Sequence, residues 1–244
     1  MNKLDPSILQ LYGIEFHIHR KSRRKNLSIQ IIPHEAVKVL VNKTTPLKEI
    51  ERFLLDKQRW VVTNVERSLQ FPKPLRSTYL PNTSELYLGT RHAVQHVPTP
   101  LKKAFVSTHS ETLFFHIPET HWSQREKLDR AVFEKLFLIY LRRQAELFFT
   151  ERIQHHSSIM NLSPQKVTLR GQKSRWGSCT SQGSISLNWK LMRAPAWVID
   201  AVIVHELAHL QHLNHSKDFW TLVNTYAPDH QKADLWLRQN LTAR

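Results

Sequence analysis

The sequence predicts an α+β fold: a strand-rich N-terminal part, then a helical C-terminal part with a small antiparallel sheet beside its most apolar helix. Three observations carry this. Apolar and polar residues alternate in short runs between 14 and 41 and again between 86 and 117, the period of half-buried strands. Two longer stretches, 47–69 and 128–153, space their apolar residues at the helical period. From Trp197 to Leu210 most positions are apolar, which marks a helix buried on nearly every side. The expected division is at 120: a β-rich part with one long helix over 1–120, and a second domain over 121–244.

Taken in order, Ile14, Phe16 and Ile18 form the first alternating run. Leu27, Ile29 and Ile31 form the second, and Val37, Val39 and Val41 the third. Between the first two lies Arg20-Lys21-Ser22-Arg23-Arg24-Lys25. Its cations read as a solvated loop, with a phosphate-touching finger as the functional alternative. Thr45-Pro46 opens a helix: Thr45 supplies a cap, and the N–H that Pro46 lacks is not used in a first turn. Its stripe runs through Ile50, Leu54 and Val61 to Leu69, and Phe71-Pro72-Lys73-Pro74 ends it. Strands are expected at 86–89, 93–97, 104–107 and 113–117. Ser123-Gln124-Arg125-Glu126 is a capping-box pattern for a long helix whose apolar face continues to about Ile153. His155-His156 reads as its solvated end. Two more strands follow at 166–171 and 184–189, the second after the turn signal Gln182-Gly183. Pro195 suits the start of the apolar helix.

With 244 residues the chain has ample length for a core, and 41% hydrophobic content is ordinary for a soluble protein. No apolar run is long enough to span a bilayer, so no membrane partner is expected. The start, Met1 to Pro6, lacks an apolar stretch behind a basic one, so no signal peptide is expected. The one cysteine, Cys179, excludes an intrachain disulfide and fits a reducing, cytoplasmic setting. It reads as packing rather than as a nucleophile or metal ligand. The net charge of +15 favours polyanions, nucleic acid among them.

The strongest chemical signal is His205-Glu206-Leu207-Ala208-His209. Positions i and i+4 share a helix face, so His205 and His209 can bind one metal ion side by side. His215 follows at the spacing of a third ligand once the chain has turned, and Asn214 suits that turn because Asn tolerates left-handed backbone angles. A catalytic zinc takes three protein ligands and one water, and lowers the pKa of that water to roughly 7. Glu206 is placed to receive the proton and pass it to a leaving group. His212 reads as an exposed side chain at the helix end, with hydrogen bonding to a ligand as the alternative. A purely structural zinc would leave Glu206 without a role.

Several stretches together carry a family resemblance. They are Arg175-Trp176-Gly177-Ser178-Cys179, Gly183 to Trp189, Ala194-Pro195, Val204 to Leu210, Asn214-His215-Ser216 and Phe219-Trp220. In these the chain resembles the YgjP-like family of predicted zinc metallopeptidases, related to the SprT-like proteases. The resemblance is strongest over about 166–240. It implies a zincin-like C-terminal domain, a site of zinc or another divalent transition metal at His205, His209 and His215, and Glu206 as the catalytic base. Where one group of zincins has a Gly three residues after the second His, this chain has His212, so it does not fit that group. The family fold makes the strand at 184–189 the rim of the cleft, where an extended peptide can pair with a free edge. An interior strand with both edges paired is the alternative.

Between Glu151 and Asp200 the sequence has no acidic residue, yet it carries Arg152, Lys166, Arg170, Lys173, Arg175, Lys190 and Arg193. A cleft lined by these favours an anionic substrate. The expected substrate-binding residues are Arg170, Lys173, Arg175, Trp176, Asn188 and Lys190, with the arginines gripping a carboxylate or phosphate. Some members of the family are regarded as nucleoside triphosphate pyrophosphatases acting on UTP. Three readings follow: a zinc metallopeptidase first, a metal-dependent nucleotide pyrophosphatase second, and a nucleic-acid-binding protein with a structural metal third.

Overall fold

The computed structural model describes residues 7–31, 36–69, 78–172 and 174–241. The fold is α+β, and the chain divides into two compact units, Met1–Pro74 and Leu75–Arg244.

In the first unit, β1 (Ile8–Leu11), β2 (Ile14–Lys21), β3 (Ser28–Gln30) and β4 (Val37–Asn42) form a sheet in the order β1-β2-β4-β3. The alternating residues do share one face: Phe16 and Ile18 of β2 and Val37, Val39 and Val41 of β4 are buried together. Strand β1 was not expected. It pairs with β2 across Tyr12-Gly13, both at positive φ (40° and 76°), the backbone of a two-residue hairpin turn. The expected single helix is two, α1 (Leu47–Asp56) and α2 (Gln58–Leu69), whose Ile50, Leu54 and Val61 close the core. Thr45 does not cap α1: the residue at its N-cap is Pro46, with no side-chain bond. Instead the Thr45 carbonyl accepts from Arg20 Nη1 at 2.7 Å. Phe71 to Pro74 lie outside the described residues.

The second unit begins with β5 (Ser84–Tyr87), β6 (Thr90–Thr99), β7 (Phe105–His109) and β8 (Thr112–Pro118), ordered β5-β6-β8-β7. After α3 (Glu119–Trp122) comes the long α4 (Arg130–Met160). Val94, Leu113 and Phe115 of the sheet share one core with Phe133, Phe137 and Leu141 of α4. That shared burial puts the second sheet with the C-terminal helices, so the compact units part near 74 rather than at 120. Helix α4 also starts later than expected. Asp129, not Ser123, is its cap, accepting from Ala131 N at 3.0 Å, while Ser123 closes α3. It runs on to Met160, where Asn161 adopts a left-handed φ of 51°.

Next come β9 (Lys166–Arg170), β10 (Gly177–Cys179), β11 (Ser184–Asn188), α5 (Ala196–Ala208), α6 (Lys217–Tyr226) and α7 (His230–Asn240). The small sheet is mixed rather than antiparallel: β11 pairs antiparallel with β10 but parallel with β9. Helix α5 is buried on most sides, with Val198, Ile199, Val204 and Leu207 fully enclosed. Each such side chain contributes about 1.5–3 kcal/mol to stability. Two contacts set its position. The β5–β6 turn docks on its approach, Leu88 N donating to Met192 O at 2.8 Å, and a Cβ on Gly89 would lie 2.5 Å from Pro195. Asp200 accepts from Arg152 Nε of α4 at 2.6 Å and lies 3.2 Å from His156 Nε2. His156 is therefore buried in an ion-pair cluster, not at a solvated helix end, although its neighbour His155 is exposed.

Candidate metal centre

His205 and Glu206 sit in the last turn of α5, and His209 closes that helix with a right-handed backbone (φ −65°, ψ −17°). The chain then reverses through turn bonds, Gln211 N to Ala208 O (3.1 Å) and His212 N to Ala208 O (2.9 Å). Asn214 is not at positive φ, so the expected left-handed exit does not occur. Ser216 caps α6, its hydroxyl accepting from Phe219 N at 3.3 Å, and this pins His215 just ahead of the helix.

The result is a cluster in which one ring nitrogen from each of His205, His209 and His215 lies within 4.8 Å of the others. His205 Nε2 and His215 Nε2 face each other at 3.2 Å. His209 Nδ1 is 3.0 Å from the His212 carbonyl. A carbonyl only accepts, so Nδ1 carries the hydrogen and Nε2 keeps its lone pair. His212 thus acts through its backbone. Aromatic rings hold the imidazoles: Phe219 stacks on His209 at 4.6 Å, and Trp220 stacks on both His215 (5.5 Å) and His230 (5.0 Å).

The electrostatics fit a cation. Burial, then the neighbouring His209, His215 and His230, lower the His205 pKa to about 4, and burial also lowers that of His209. Both imidazoles are therefore neutral at pH 7, the form that donates a lone pair to a metal. Glu206 is 5% exposed, and its Oε2 is buried with no hydrogen-bond partner. Burial raises its pKa to about 8, against an opposing pull from Arg175. Three convergent imidazoles, with an orphaned buried carboxyl oxygen on the residue that follows His205, suit a divalent transition metal and its water.

Gly177 makes room for that carboxyl. A Cβ there would lie 2.3 Å from Glu206 Oε1, so any other residue would displace that carboxyl. The rim of the site is β10 rather than the strand at 184–188. In the order β10-β11-β9 the expected rim strand is interior, with both edges paired. Trp176 O accepts from Asn188 N (2.8 Å) and Thr180 N donates to Ser184 O (3.0 Å). The backbones of 176, 178 and 180 thus face β11, and those of Gly177 and Cys179 turn to the open edge. Cys179 itself is half-buried, its thiol pKa raised by burial and by Glu206.

The remaining expected substrate residues separate. Arg175 and Trp176 lie beside the site: Arg175 is exposed and its charge reaches Glu206, and Trp176 lines the cavity that His205 and Glu206 open onto. Asn188 is fully buried and supports the loop, its Nδ2 donating to Gln172 O (2.9 Å) and Arg175 O (3.1 Å). Arg170 is exposed at the end of β9, and Lys190 is half-buried in the turn after β11. Lys173 lies outside the described residues. Of the other cations in the acid-free stretch, Arg152 is held by Asp200, and Arg193 donates to Tyr79 Oη at 3.2 Å. The site is therefore less positive than the charge count implies. Sequence reasoning missed Gly177, His230 and the Asp200 cluster. A glycine in a strand beside the motif was the available signal for the first, whereas nothing local marks the others.

A family model described as YgjP-like, metallopeptidase domain, matches residues 25–240. The crystal structure of the metallopeptidase zymogen of Pyrococcus abyssi abylysin is similar at 21% identity, over 38% of this chain and 98% of that one, with a TM-score of 0.33. No curated protein matches the chain.

Proposed function

Since the chain belongs to the YgjP-like metallopeptidase family, we propose that it hydrolyses peptide bonds with a zinc ion held by His205, His209 and His215 and with Glu206 as general base. The observation that carries this reading is the nitrogen cluster with the unpartnered Glu206 oxygen beside it. When bound, the metal supplies a Lewis acid that acidifies water and polarises the scissile carbonyl. The chain's own groups do the rest. Glu206, whose ionised form a cation at the three imidazoles would favour, takes the proton of the attacking water and returns it to the leaving amine nitrogen. His205, with its lone pair committed to the metal, would not compete for that proton. The His212 carbonyl fixes the tautomer of His209. The open edge of β10 offers the Gly177 and Cys179 backbone groups to an extended peptide, which then runs past Glu206.

A second reading, hydrolysis of a nucleoside triphosphate, rests on Arg175, whose charge reaches Glu206 from an exposed position. The two part in one experiment. Zinc-loaded protein and Glu206→Gln are incubated with an unstructured protein and with a nucleoside triphosphate panel. Peptide cleavage that disappears in the variant is expected. Pyrophosphate release without peptide cleavage selects the second reading. Failure to bind any transition metal sinks both.

A further inference from the structure

The site opens onto a cavity of about 630 Å³, within the range of small-ligand pockets, roughly 300–1,000 Å³. Its walls follow from helix periodicity. On α5, Ala201 and Val202 lie one turn before His205 and Glu206, so the face that carries the site also lines the cavity. On α7, His230, Ala233 and Leu237 recur at intervals of three and four and present one face to it. Trp220 and Trp176 complete the lining.

Two pairs of polar groups in this lining engage each other. Arg238 Nη2 lies 2.6 Å from Asp234 Oδ2, and His230 Nε2 donates to Asn224 Oδ1 at 3.0 Å. Apart from Glu206 at the site and the exposed Gln231, what remains for a ligand is apolar: Ala201, Val202, Trp220, Ala233 and Leu237. An anionic group entering here meets a guanidinium already engaged by a carboxylate. An apolar side chain loses nothing on entry and gains burial. The small residues Ala201 and Ala233 keep the space open. We propose that this cavity receives the substrate side chain next to the scissile bond and selects a large apolar residue there. This rests on the peptidase reading, because only a substrate stretched past Glu206 places a side chain in it.

The test has two arms on the zinc-loaded full chain. In the first, N-acetylphenylalanine amide is titrated while the indole NMR signals of Trp176 and Trp220 are followed. Saturable shifts are expected in the wild type and not in Val202→Phe, which fills the cavity from α5. No shift at millimolar amide overturns the proposal, and because this is read on the wild type it stands even where the variant fails to fold. In the second arm, cleavage sites in an unstructured protein are mapped by mass spectrometry. Large apolar residues are expected beside the cut bond, and Val202→Phe should lower the ratio of large-side-chain to small-side-chain cuts by about tenfold or more. Cleavage indifferent to that side chain overturns the subsite while the peptidase reading stands. Amide binding with no cleavage at all overturns the peptidase reading and, with it, the cavity's role as a substrate subsite.

Discussion

At the scale of single residues, the site turns on two groups whose protonation is set by burial. Glu206 holds its proton up to about 8 and His205 stays neutral down to about 4. Replacing Glu206 by Gln removes the proposed base and leaves the three imidazoles in place. Hydrolysis should fall on the order of a thousandfold, with zinc content by elemental analysis unchanged; loss of the metal as well would assign Glu206 a different role. The same two groups set a pH dependence in metal-free protein. An unfolded His takes up its proton near 6.5, so between about 4 and 6.5 the unfolded chain binds more protons and His205 makes stability rise with pH. Glu206 acts oppositely: from 4.5 to about 8 the folded chain holds the extra proton, so its contribution falls as pH rises. Above 6.5 only the second remains. Melting midpoints of the metal-free protein should therefore decline from pH 6.5 to 8, and a climb across that window would contradict a buried, protonated carboxyl. The pairing of His205 with His209 and the adjacency of Glu206 were legible in five consecutive residues because covalent spacing on a helix decides them. The support of His209 by the His212 carbonyl was not, because it depends on how the chain turns after the helix ends.

At the scale of elements, β10 matters most, and like β1 it was not revealed by periodicity. It is three residues long, Gly177–Cys179, too short for alternation to register. Its Gly177 lies against the Glu206 carboxyl. Gly177→Ala should displace the Glu206 carboxyl and lower turnover by about a hundredfold, the effect of misplacing a reacting group by about 1 Å. The zinc content should be retained, which separates this from unfolding. Asn188 plays a complementary part from β11, holding the loop that carries Arg175 and Trp176. Asn188→Ala leaves the Gln172 and Arg175 carbonyls without their buried donor and should cost about 1 kcal/mol in chemical denaturation; an unchanged midpoint would mean the loop is held otherwise. Arg20 and Arg24 show the same lesson in the basic run. Arg20 donates to the Lys43 and Thr45 carbonyls of the β4–α1 connection, and Arg24 Nε to Asn26 O in its own turn, so both guanidiniums brace the scaffold.

At the scale of the whole molecule, the chain is two units with separate cores, and the site belongs wholly to the second. Residues 75–244 expressed alone should fold cooperatively and bind zinc, as followed by circular dichroism and metal titration; a non-cooperative melt would show that the first unit is needed for the core. A zinc ion held by His205, His209 and His215 would tie α5 to the segment before α6. Metal at about a thousand times its Kd should stabilise the full chain by about 4 kcal/mol, and a chelator should reverse the shift. Among the described residues no helix is long and apolar enough to cross a membrane.

The sequence by itself determined the α+β character, the face shared by His205 and His209, the adjacent Glu206, and a third histidine within reach. Each follows from spacing along the chain, since helix and strand periods turn sequence distance directly into direction. Only the tertiary structure decided that the strand at 184–188 is interior and β10 is the open rim. It also decided that Arg152, Arg193 and Asn188 serve the scaffold, and that an apolar cavity adjoins the site. Those outcomes depend on which distant segments pack together. A charge or a strand has the same local pattern whether its partner is solvent, a substrate or another part of the core.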